Sequence, residues 1–144
     1  MGEVSEDPTR DFQQVFWATK RALALASANA FARHGVHEGQ QYVLRCLWEE
    51  DGLTPGEVAT RLGLATPTVT RTTARMETAG LVRREPHERD GRLVRLFLTD
   101  RGRELEAAIG CETDALTERA LASLDQSDRA ALVRALDSVR RNLA

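Results

Sequence analysis

Apolar positions near the start of the chain recur at helical spacing. Phe12, Val15, Phe16, Leu23, Ala26, Ala30 and Phe31 form a stripe through an alanine-rich stretch, which predicts one long helix over residues 8–34 stopped by Gly35. A second helix follows over 38–50, with Tyr42, Val43, Cys46 and Leu47 on one face, and Asp51-Gly52 breaks it. Thr54-Pro55-Gly56-Glu57 is then a helix start: a capping threonine, a proline at the first helical position and a glutamate three after the cap. Val58, Ala59 and Leu62 give that short helix an inner face, and Gly63 ends it. Thr66-Pro67 starts the next helix, which runs to about Ala79 with Val69, Ala74 and Met76 inward.

Beyond Gly80 the period changes. Leu81 to Arg84 reads as a short strand and Glu85 to Gly91 as a loop. Val94, Leu96 and Leu98 alternate with Arg95 and Phe97, as in a strand with one buried face, so the pair reads as a hairpin. Thr99-Asp100 opens a helix carrying Leu105, Ile109, Leu116 and Leu121. Asp125-Gln126-Ser127-Asp128 interrupts it, and a last helix uses Leu132, Leu136, Val139 and Leu143. Two short helices around a glycine turn, followed by a basic hairpin, are the parts of a winged helix–turn–helix. Ala59 is small where two helices cross, Gly63 permits the turn, and Val69 anchors the second helix. The predicted class is mainly α with a small β-hairpin wing.

Composition changes this picture at one point. The 144 residues suit a single domain, and a formal net charge of −2 is unremarkable. The charge is segregated, however. From Arg61 to Arg103 there are ten arginines (61, 71, 75, 83, 84, 89, 92, 95, 101 and 103) against five acids, Glu77, Glu85, Glu88, Asp90 and Asp100. A basic middle in an acidic chain points to a local polyanion surface. The second short helix adds Thr66, Thr68, Thr70, Arg71, Thr72, Thr73 and Arg75 outside its inner face, with no acid before Glu77. Such a helix fits the DNA major groove, where threonine and arginine reach bases and phosphates. No stretch is apolar enough for a membrane span, and the start MGEVSEDPTRD is acidic and unlike a secretory signal, so the expected compartment is the cytoplasm. Cys46 and Cys111 lack metal-type spacing and read as reduced, mostly buried thiols. No nucleophile–base set, phosphate-cradling loop or metal cluster argues for an enzyme, and no cofactor or metal is expected.

The stretch Leu53 to Leu105 resembles the core of the MarR family of bacterial winged-helix transcription regulators. The resemblance rests on GLV at Gly80–Val82, D-x-R at Asp90-Gly91-Arg92 and LT-x-x-G at Leu98–Gly102, in order and at matching separations. It implies a homodimer in which helices over 8–34 and 100–143 interlock, with a winged helix–turn–helix region over 38–99 that binds a pseudo-palindromic operator. Val15, Leu23, Leu132, Leu136, Val139 and Leu143 become candidates for the dimer core. The candidate DNA-binding residues are Thr66, Thr68, Thr70, Arg71 and Arg75 on the recognition helix and Arg89, Asp90 and Arg92 on the wing. Arg92 is placed at the wing tip in the minor groove, with Asp90 orienting the arginine side chains, although Asp90 before glycine also reads as a plain turn residue. Arg83, Arg84 and Arg95 on the strands are read as meeting phosphates or solvent.

The resemblance also implies release from DNA by a small aromatic or anionic effector, for which Trp17, Lys20, Arg21 and His37 are the candidate lining. The favoured reading is nevertheless that Trp17 packs in the dimer or core and Lys20 is solvated. His34 and His37 with Glu38 lack a third metal ligand, and His87 in the wing reads as exposed. Two alternatives stand beside the ligand-responsive repressor. One is redox control through Cys46 or Cys111; the other is a winged-helix protein-interaction module that no longer binds DNA.

Overall fold

Asp7 opens the first helix by accepting hydrogen bonds from the amides of Thr9 and Arg10, with Pro8 at the first helical position. The computed structural model describes residues 7–37 and 39–144. Its elements are α1 (Pro8–Ala32), α2 (Gln40–Glu49), α3 (Pro55–Leu62), α4 (Thr66–Thr78), β1 (Val82–Pro86), β2 (Val94–Leu98), α5 (Asp100–Ala120) and α6 (Gln126–Asn142). The expected start of the second helix at Glu38, and most of the acidic N-terminal stretch, lie outside the described residues. This order matches the predicted class of helices around one hairpin. The chain, expected to be one domain, divides into two compact units, Met1–Glu112 and Thr113–Ala144.

In the first unit α3 begins with a complete capping box. The Thr54 hydroxyl accepts from the Glu57 amide at 3.2 Å, and the Glu57 carboxylate accepts from the Thr54 amide at 2.8 Å. Gly63 then takes φ of +65°, a conformation that favours glycine and lets the chain turn into α4. Val58 and Ala59 of α3, Val69 and Met76 of α4, and Val43, Leu44, Cys46 and Leu47 of α2 fill one core with Leu53, Leu81, Val82, Leu96 and Leu98. Two expected inward positions are wrong. Tyr42 is exposed and Leu44 is buried instead; Ala74 is exposed and Thr73 is fully buried. The buried set on α4, Val69, Thr73 and Met76, keeps strict helical spacing. Thr73 tolerates burial because its hydroxyl donates to the Thr70 carbonyl at 3.1 Å.

The hairpin is antiparallel, with Val82 opposite Leu98 and Pro86 opposite Val94, so the first strand continues two residues into the expected loop. An added bridge joins Leu53 to Leu96. At the other end of the hairpin, α5 enters against β1. Trp48 Nε1 donates to the Gly102 carbonyl at 2.9 Å, and Thr99 Oγ1 donates to the Gly80 carbonyl at 2.6 Å. On α1 only Ala30 and Phe31 are buried. Of the rest of its stripe, Ala26 is half-buried, while Phe12, Val15, Phe16 and Leu23 are exposed in the single chain, as is Trp17 beside them.

The second unit holds the end of α5 and all of α6. Asp125 caps α6 by accepting from the Asp128 amide at 2.8 Å. Arg129 ties the turn, reaching Glu118 Oε2 at 3.1 Å and the Leu121 carbonyl at 3.1 Å. No residue of α6 is buried, and Leu132, Val133, Leu136 and Leu143 are exposed. Among the described residues, no helix is long and apolar enough to cross a membrane.

Candidate nucleic-acid interface

The first piece of the site is α4. Its N-cap is Ala65, so Thr66 lies in the first turn rather than capping it, followed by Pro67. No side chain caps the first turn and it carries no acid, which leaves a locally positive end. Thr66, Thr68, Thr70, Arg71 and Arg75 are all exposed, as expected. Thr72 and Thr73 are not equivalent to them. Thr72 donates to the Thr68 carbonyl at 3.0 Å, and Thr73 is buried, which takes it out of the outward set.

The second piece is the wing. Asp90 accepts from the Arg92 amide at 3.1 Å and from Arg92 Nε at 3.1 Å, while Arg92 Nη2 reaches its other oxygen at 3.3 Å. The Arg92 side chain is 90% exposed. Hydrogen bonds from the Arg92 side chain and then its amide hold the Asp90 carboxyl below the usual carboxylate range. Asp90 thus does both jobs suggested by the sequence: it closes a turn, its carbonyl accepting from the Leu93 amide at 3.0 Å, and it orients an arginine. Arg89 stands exposed beside this pair.

The remaining hairpin arginines are occupied within the fold. Arg83 Nη1 donates to the Leu98 carbonyl at 3.1 Å, its Nε to Glu85 at 2.9 Å, and its guanidinium lies 5.1 Å from the Phe97 ring centroid. Arg84 pairs with Glu77 of α4. Arg95 is half-buried, with Nη1 donating to the Gly52 carbonyl at 2.8 Å and Nη2 to Glu88 at 3.4 Å. The expectation that Arg95 meets phosphates or solvent is corrected, since it is half-buried with its Nη donors on the Gly52 carbonyl and Glu88; Arg84 pairs with Glu77 and stays exposed. His87, expected to be exposed, is half-buried, and Nδ1 accepts from the amides of Arg89 and Asp90 at 3.1 and 3.2 Å. Sequence reading missed it, although an acceptor three residues before an aspartate-glycine turn is a usable signal.

The candidate effector residues do not assemble. A pocket of about 400 Å³ is lined by Ala28, Phe31, Val36, His37 and Gln41, among others. Trp17 sits eleven residues before Ala28 on α1, roughly 16 Å along the axis. Trp17, Lys20 and Arg21 are thereby separated from His37. Lys20 instead covers the Trp17 ring, its Nζ 4.8 Å from the centroid. His34 Nε2 contacts Glu112 at 2.9 Å, which holds the carboxyl below its usual range together with Arg33. Cys46 is buried, and burial pushes its thiol up; Cys111, expected to be mostly buried, is exposed.

Comparison with known proteins agrees with this geometry. The sequence model of the MarR family matches residues 37–94. The HTH-type transcriptional regulator TtmR of Methylorubrum extorquens is 36% identical over 141 residues, spanning 96% of this chain and 71% of the relative. Among solved structures, YusO from Bacillus subtilis superposes with a TM-score of 0.80 at 22% identity, covering 96% of this chain and 99% of that one. A putative MarR family transcriptional regulator from Listeria monocytogenes, complexed with a 26mer DNA, superposes with a TM-score of 0.72 at 22% identity, covering 99% and 90%. The structures share the fold, and the relative and the family match carry the kinship: the chain belongs to the MarR family of winged helix–turn–helix transcriptional regulators, DNA-binding proteins rather than enzymes.

Proposed function

We propose that the protein is a cytoplasmic, homodimeric repressor that binds a pseudo-palindromic operator. In this reading α4 enters the major groove through Thr66, Thr68, Thr70, Arg71 and Arg75, and the wing enters the minor groove through Arg92, flanked by Arg89. The observation that carries it is the Asp90–Arg92 pair, in which an almost fully exposed guanidinium is held at a loop tip by two hydrogen bonds to a carboxylate that also accepts from the Arg92 amide. A narrow minor groove concentrates negative potential and attracts such a side chain. The exposed apolar faces of α1 and α6 support a dimer, whose half-sites are expected about 34 Å apart. The pocket beside His37 is the place for a small effector. Redox control through Cys46 is disfavoured, since burial opposes thiolate formation there. A protein-interaction module has no use for the oriented Arg92.

Arg92→Ala tests the reading. It is expected to weaken operator binding about 10- to 100-fold at fixed salt while leaving the melting temperature unchanged. Equal affinity of a folded Arg92→Ala protein, measured by fluorescence anisotropy, removes the wing from the interface.

A further inference from the structure

The wing tip is built around one ring. His87 Nδ1 accepts from two successive backbone amides, those of Arg89 and Asp90, while the His87 amide donates to the Leu93 carbonyl at 3.0 Å. These contacts set the turn from which Asp90 and Arg92 project. With Nδ1 accepting, the ring proton sits on Nε2, so Arg95 Nη2, 3.3 Å from that nitrogen, meets it as a close contact between two donors and not as a hydrogen bond. A second proton has no acceptable place. On Nδ1 it faces two N–H donors, and the resulting charge stands against a half-buried guanidinium. The other charged groups around the ring are Glu88, which pairs with Arg95, and Asp90, which pairs with Arg92. Both carboxylates favour a charged ring, but each is already bonded to an arginine and neither relieves the clash at Nδ1.

We propose that His87 is a positioning residue of the wing that holds the tip only as a neutral imidazole, so that operator affinity falls as the ring is protonated. This rests on the proposed entry of the wing into the minor groove. Imidazole is the side chain whose ordinary charge change lies nearest neutral pH, which sets the range the test scans. Asp90 does not titrate in that window, because its carboxyl is held below the usual carboxylate range. Charge alone predicts the opposite sign, since a protonated loop attracts phosphate more strongly. The direction of the pH effect therefore separates a positioning role from a phosphate contact.

Asparagine and glutamine discriminate further. The Asn Oδ1 occupies the place of Nδ1 and accepts from both amides without titrating. The Gln oxygen lies one bond further out, near Nε2. The test titrates wild type, His87→Asn, His87→Gln and Arg92→Ala with a duplex selected from random-sequence DNA by the purified wild-type protein, at constant salt from about pH 7.5 to about pH 5.5. Wild type is expected to weaken about tenfold relative to His87→Asn over that range, and His87→Gln to be about tenfold weaker than wild type at the neutral end. Unaltered melting of each variant places these changes in the wing. Identical pH profiles for wild type and His87→Asn, tighter wild-type binding in acid, or full affinity of His87→Gln each overturn the proposal. Arg92→Ala separates the two failures. If it binds as wild type does, the wing reading itself is lost; if it is weak while wild type and His87→Asn share one profile, only the role of His87 is lost.

Discussion

Gly102→Ala is expected to lower the melting temperature by about 10 °C or more, or to prevent folding, read by circular dichroism. A Cβ at this position stands 2.2 Å from the Leu81 carbonyl oxygen and 3.1 Å from a Leu98 methyl. The carbonyl cannot step aside, because it accepts from the Thr99 amide at 3.1 Å. The Gly102 amide in turn donates to the Thr99 oxygen at 3.1 Å. Relief requires lifting the first turn of α5 off β1, which breaks these bonds and the one from Trp48. Helix propensity opposes the effect, since alanine in place of glycine gains about 1 kcal/mol. Overpacking against fixed backbone costs about 3 kcal/mol or more, so the clash wins. Gly110→Ala on the same helix is the control: nothing lies within 4 Å of its added Cβ, and a gain of about 0.5–1 kcal/mol is expected. Equal melting of the two variants refutes the packing argument.

The double substitution Leu132→Glu with Leu136→Glu is expected to turn a dimer into monomers that no longer bind operator. In the single chain α6 has no buried residue, yet it spans Gln126–Asn142 with exposed leucines at both positions. Helices of this length draw their stability from packing an apolar face rather than from propensity alone. The dimer loses four leucines, two from each protomer; at about 1 kcal/mol for the part of each that the single chain leaves exposed, this costs roughly 4 kcal/mol, about a thousandfold in the dimer dissociation constant, before any charge burial is counted. Sedimentation equilibrium reads the mass. A double variant that sediments as a dimer at micromolar concentration excludes α6 from the interface. Arg92→Ala, by contrast, is expected to leave the mass unchanged.

The elements were legible where their ends are chemically marked. The Thr54–Glu57 box and the glycines at 63 and 80 gave α3 and α4 within a residue or two. Period alone was weaker, and on α4 it chose Ala74 over Thr73 because a small apolar residue looked more buried than a hydroxyl. The threonine is inside because its own helix satisfies it. Tyr42 failed for a similar reason, since an aromatic ring need not face the core of its own chain. In the candidate site, the pairing of Asp90 with Arg92 was suggested by the family resemblance, and the two lie close enough in sequence to meet within one turn. The partial burial of Arg95 was not legible, because the Gly52 carbonyl that holds it comes from another segment. Of the effector set, Trp17 and Lys20 lie together on α1, whereas His37, beyond the end of that helix, is distant from them in the single chain.

The short segment between α2 and α3 has a mechanical consequence. The Gly52 amide donates to the Leu96 carbonyl at 2.9 Å, the Leu96 amide to the Leu53 carbonyl at 2.8 Å, and Arg95 to the Gly52 carbonyl at 2.8 Å. Asp51 accepts from the Leu98 amide at 2.9 Å. Four bonds therefore lock the base of the hairpin to the chain that leads into α3, and freeing it costs several times the roughly 1 kcal/mol of a single bond. The hairpin base has no independent swing. A torque applied to α2 is therefore expected to turn the chain leading into α3 and the hairpin base together.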